Sequence, residues 1–90
     1  MKLPDEKIVQ ITKDVAEANN IPALDVSTAA AIDSSGLPAI EVTISIIPGA
    51  SFAFFEDGRS TRTVSQVVQR LADEGEERLP VVHFEGSCAP

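Results

Sequence analysis

Residues 24–47 run Leu24-Asp25-Val26-Ser27-Thr28-Ala29-Ala30-Ala31-Ile32, then Asp33-Ser34-Ser35-Gly36-Leu37-Pro38, then Ala39-Ile40-Glu41-Val42-Thr43-Ile44-Ser45-Ile46-Ile47. The two outer segments alternate with period two. In the first, Leu24, Val26, Thr28, Ala30 and Ile32 share one face, and Asp25, Ser27, Ala29 and Ala31 share the other. In the second, Ile40, Val42, Ile44 and Ile46 point inward while Glu41, Thr43 and Ser45 point outward. Successive side chains on a strand project to opposite faces, so each segment reads as a half-buried strand. The residues between them are turn formers. The stretch is therefore a β-hairpin, and one of its faces needs an apolar cover.

Helical patterns on either side of the hairpin supply that cover. Ile8, Ile11, Val15 and Ala18 recur at three- and four-residue steps, which predicts a helix over about Pro4–Ala18 with a single apolar stripe. Pro4 suits a first turn, Asp5 and Glu6 suit the positive end of the dipole, and Asn19-Asn20 followed by Pro22 can end the helix. Val64, Val67, Val68 and Leu71 predict a second helix over about Val64–Glu74. Thr63 and Gln66 have capping-box spacing at its start, and Gly75 suits a left-handed close. Leu79–Phe84 reads as a third strand.

The segment Gly49–Gly58 stays open between strand, short irregular helix and loop. Pro48-Gly49 favours a type II turn, which does not match the twist of a two-residue hairpin. The expected fold is α+β, a two-layer α/β sandwich in the order α-β-β-(loop or short element)-α-β. Its mixed sheet has three or four strands, with both helices on one face because the other face is Ser, Thr, Ala and acid. This order resembles the type II KH topology and the BolA-like domains. The resemblance is one of topology, and the KH Gly-x-x-Gly loop is missing from this chain. A KH likeness implies nucleic-acid binding.

Ninety residues are expected to form a single domain over 1–90, with about 86–90 as a flexible tail. A domain of this size buries about 60–65% of its unfolded surface. Cys88 is the only cysteine, so no disulfide within the chain can help, and a lone thiol fits a reducing cytoplasm. The first 20 residues hold no long apolar run, and the longest uncharged stretch, 42–55, is broken by Pro48-Gly49. A membrane-spanning helix needs about 20 apolar residues, so a soluble, cytoplasmic protein without a membrane partner is expected. The net charge is −7, from 14 acidic and 7 basic residues. That field repels polyanions, which makes nucleic acid an unfavoured partner, and it also promotes solubility.

Catalytic chemistry finds little support. His83 is the only histidine, and Cys88 lies five residues further on, roughly 16 Å along an extended chain. His83 reads as a structural or surface residue, facing either with Leu79 and Val81 or onto the open sheet face. No set of soft ligands suggests zinc, and Asp73, Glu74, Glu76 and Glu77 do not match a calcium loop. That acidic cluster is either a solvated helix end or a docking point for a basic partner. No cofactor is expected.

Two stretches remain as candidate binding sites. Arg59, Ser60, Arg62 and Thr63 lie at the approach to the second helix, where backbone N–H groups and arginines can hold a phosphate or carboxylate. The alternative there is an ordinary turn and cap. Phe52, Phe54 and Phe55 are either core or a docking surface. If extended, the segment puts Phe52 and Phe54 on one side and Phe55 on the other.

These features together point to a small non-enzymatic protein-interaction module. Its partner is another protein or a second copy, met through the open sheet face or an edge strand such as Leu79–Phe84. The alternatives are a KH-like nucleic-acid-binding domain, or a small anion-binding protein or enzyme using the turn before helix two.

Overall fold

A computed structural model describes residues 2–86. Cys88 and the expected tail from residue 87 onward lie outside the described residues. The element order is α1 (Asp5–Ala18), β1 (Ala23–Ile32), β2 (Pro38–Ile46), a short 3₁₀ turn (Ala53–Phe55), α2 (Arg59–Asp73) and β3 (Leu79–Glu85). The three strands form one mixed sheet in the order β1-β2-β3. β1 and β2 are antiparallel across the hairpin, and β2 and β3 are parallel because α2 carries the chain back between them. The expected α-β-β-α-β arrangement is observed, with three strands among the described residues.

β2 is central because it is the strand best able to be buried. Ile40, Val42, Ile44 and Ile46 are all buried and alternate with Glu41, Thr43 and Ser45, as the period predicts. Val26 of β1 pairs with Ile44, and Val82 of β3 pairs with Val42 on the same face. These side chains form one core with Ile8, Ile11 and Val15 of α1 and with Val67 and Leu71 of α2. Both helices therefore cover the same sheet face. The other face carries Ser27, Ala29, Glu41, Thr43 and His83, with exposed Leu79 and half-buried Val81 along its β3 edge, and no described element covers it.

The helix ends follow their sequence signals. α1 closes with Asn20 in the left-handed region at φ 56°, the Asn20 N–H donating to Glu17 and the Ile21 N–H to Ala16. α2 closes in the same way on Gly75 at φ 96°, with the Gly75 N–H on Ala72 and the Glu76 N–H on Leu71. Both are Schellman closures. Asn19 also bridges the helices, its amide donating to the Val15 carbonyl and to Gln66 Oε1 at 2.8 Å.

Three local expectations need correction. On β1, Leu24 and Ile32 are 62% and 75% exposed. A register shift between Ala23 and Asp25 takes Leu24 out of the alternation, and Ile32 sits uncovered at the hairpin end of an edge strand. α2 begins at Arg59, five residues before the expected start at Val64. Its buried face is Ser60, Thr63, Val67 and Leu71, with Val64 and Val68 to one side. Thr63 and Gln66 therefore form no capping box, because both lie inside the helix. Asp57 and Gly58 start the helix instead: Asp57 Oδ1 accepts from the Arg59 N–H, and Gly58 sits at φ 86°.

Candidate functional site

The chain from β2 to α2 builds the most distinctive surface. Pro48 and Gly49 form the expected type II turn, with Gly49 at φ 81° and the Ala50 N–H donating to Ile47. The chain then winds into the 3₁₀ turn rather than extending. In a 3₁₀ turn residues i and i+3 eclipse, so Phe52 and Phe55 fall on one side. Their rings stack at 6.0 Å with 16° between planes. The expected partition of the phenylalanines is therefore corrected. Phe54 is fully buried, while Phe52 and Phe55 are 38% and 48% exposed.

The stacked pair rests on two further rings. Phe54 lies 4.5 Å from Phe55 and 5.6 Å from Phe84 of β3, and Phe55 meets Phe84 edge-on at 5.4 Å. Phe52 lies over the end of β3, so close that a Cβ on Gly86 would sit 2.5 Å from its ring. Glu56 and Glu85 are exposed neighbours in sequence of this cluster. The result is an apolar platform with acidic neighbours, at the end of the sheet where β2 and β3 both finish.

The four residues of the candidate anion site do not converge. The Arg59 guanidinium donates through Nε to Asp57 at 2.8 Å and through Nη1 to the Asn20 carbonyl at 2.8 Å. Asp57 thus occupies the start of α2 with its own carboxylate. The Arg59 backbone N–H, followed by the guanidinium, holds that carboxyl below its ordinary range. Ser60 and Thr63 turn into the core, and Arg62 alone is exposed. Thr63 Oγ1 is buried with no hydrogen-bond partner.

The acidic cluster after α2 also divides. Glu74 pairs with Lys7 at 3.2 Å across to α1. Glu76 is buried and accepts from the Leu3 N–H and from the Arg78 N–H, Nε and Nη2 at 2.8–3.0 Å. The Arg78 guanidinium is the main reason its carboxyl is lowered to about 2. Glu76 is therefore a clamp between the N-terminal segment and the α2–β3 turn, not a solvated charge. Sequence reasoning missed this role, for which the signal was Arg78 two residues on.

His83 is half exposed on the open face, 3.6 Å from Glu41. Among the described residues no group of three or more His, Cys, Asp and Glu is placed to hold a metal. No described helix is long and apolar enough to cross a membrane. A groove of about 600 Å³ lies at the far end of the sheet, where Leu37, Pro38 and Leu79 meet Val68 and Ala72 of α2. Its lining also carries Lys2, Asp33 and Glu77, besides Glu76 and Arg78, which are bound to each other. Comparison with known protein families, characterised proteins and solved structures finds no match for this chain.

Proposed function

We propose that the protein is a non-enzymatic protein-interaction module whose contact surface is the Phe52–Phe55 pair. The observation that carries this reading is the stacked, half-exposed pair of rings held on buried Phe54 and half-buried Phe84. Exposed aromatics packed against other rings lose little conformational freedom on binding, which is why such groups dominate contact energies. The neighbouring Glu56 and Glu85, with the net charge of −7, favour a partner segment that is apolar and flanked by Lys or Arg.

Peptide display against the wild-type protein and a Phe52→Ser/Phe55→Ser variant tests this directly. Selected peptides should carry an aromatic or aliphatic anchor with basic flanks, and their affinity for the variant should fall about tenfold or more. Peptides that bind both proteins equally would refute the assignment of this surface. Binding of single-stranded RNA in place of peptides, lost on Arg62→Ala, would turn the choice to the KH-like alternative.

A further inference from the structure

Both edges of the sheet are strands, and they differ in their defences. β3 carries Pro80, His83 and Glu85, and proline and charge blunt an edge against pairing. β1 is ten residues long, contains no proline, and has Asp25 as its single charge, whose carboxylate accepts the Val26 N–H at 2.8 Å and lies 3.8 Å from Lys13 Nζ. Its irregularity lies at Leu24, which leaves residues 25–32 in regular register with β2. Its other side carries no strand among the described residues. The two large apolar side chains on β1, Leu24 and Ile32, stand exposed at opposite ends of this edge.

We propose that β1 pairs antiparallel with β1 of a second copy about a two-fold axis at Thr28. Two three-stranded sheets would then join into one of six strands. This surface is separate from the aromatic platform, and the proposal does not depend on that reading.

The second copy is the favoured occupant because one symmetric register opposes neither like charges nor proline, and asks only that the Val26 N–H, which donates to Asp25 Oδ1 at 2.8 Å, turn to the partner strand. Directly opposed residues of an antiparallel pair share a face. With Thr28 opposite Thr28, Ser27 faces Ala29, Val26 faces Ala30 and Asp25 faces Ala31. Leu24 of each copy then reaches the strand end that carries the partner's Ile32. No two like charges are opposed. The neighbouring symmetric registers are worse. Shifting by one residue toward the hairpin sets Asp25 against Asp33, whose carboxylate already holds the Ser35 and Leu37 N–H groups. Shifting the other way carries Ile32 onto Pro22, which has no N–H to donate.

Light scattering on size-separated protein, at up to roughly millimolar chain concentration, reads the association. The expected result is a mass twice that of the chain. Added salt should tighten the dimer, because two chains of net charge −7 repel. Leu24→Lys and Ile32→Lys change exposed side chains, so each should keep its melting temperature while weakening the dimer about tenfold or more. In a Cys88→Ala background, Thr28→Cys should cross-link to itself with a short bis-maleimide, while Val81→Cys on β3 should not. A monomer throughout the concentration range would overturn the proposal. So would a dimer that is unchanged by both lysine variants, or one that cross-links through position 81.

Discussion

Replacing Glu76 by Gln removes one negative charge and almost no volume, so it isolates the clamp at the α2–β3 turn. All four groups that Glu76 accepts from are donors: the Leu3 N–H and three N–H groups of Arg78. A glutamine replaces one of the two acceptor oxygens by an NH2 donor, and because each carboxylate oxygen accepts two N–H groups, the amide nitrogen must face two of them in either orientation. The side chain is fully buried and Arg78 is nearly so, which leaves solvent little scope to compensate. Removing one partner of such a pair costs about 3 kcal/mol. The shift of the carboxyl from 4.5 to about 2 gives the same scale, about 3 kcal/mol at 1.36 kcal/mol per unit.

The pH dependence of that cost follows from the direction of the shift. A depressed carboxyl contributes its full stability above the unfolded value of 4.5, and that contribution is lost as pH falls through 4.5 toward 2. Urea unfolding of both proteins at pH 7 and near pH 2 measures the difference, in which the other carboxylates cancel. Total stability for 90 residues is roughly 5–13 kcal/mol, so a loss of about 3 is easily resolved. The gap between wild type and variant should be about 3 kcal/mol at pH 7 and should shrink to less than about 1 near pH 2. A gap of the same size at both pH values, or none at pH 7, would refute the reasoning.

Other substitutions test the packing. Phe54→Ala should cost about 3–5 kcal/mol because the ring is fully buried, whereas Phe55→Ala should cost about 1 kcal/mol, both read by denaturant melts. Val42→Asp places an unpaired charge in the core and should abolish cooperative unfolding, while Thr43→Asp on the open face should keep it; equal melts would show the register to be wrong. Thr63→Val removes a buried hydroxyl without a partner and should raise stability by about 1 kcal/mol. Thr12→Val should not, because the Thr12 hydroxyl donates to the Ile8 carbonyl at 2.8 Å.

The strands and both helix closures were legible in the sequence because each rests on a local cause. Alternation in Ile40–Ile46 is a property of the extended backbone, and Asn20 and Gly75 take up a left-handed φ that few other residues tolerate. The start of α2 was not legible, because Ser60 and Thr63 look polar in a sequence and face the core in the fold. Ile32 matches the inward period and is nonetheless exposed, while the register shift carries Leu24 out of that period. Alternation says which face a residue takes, but only the placement of α1 and the edge position of β1 decide whether that face is covered. The aromatic platform divides in the same way. The sequence put three phenylalanines in one loop, and the 3₁₀ turn, a matter of backbone winding against β3, decided that Phe54 is buried while Phe52 and Phe55 meet solvent together. Local periodicity and backbone stereochemistry were thus determined by the sequence alone. Burial, ion pairing and the free edge depend on residues far apart in the chain, and tertiary packing alone decided them.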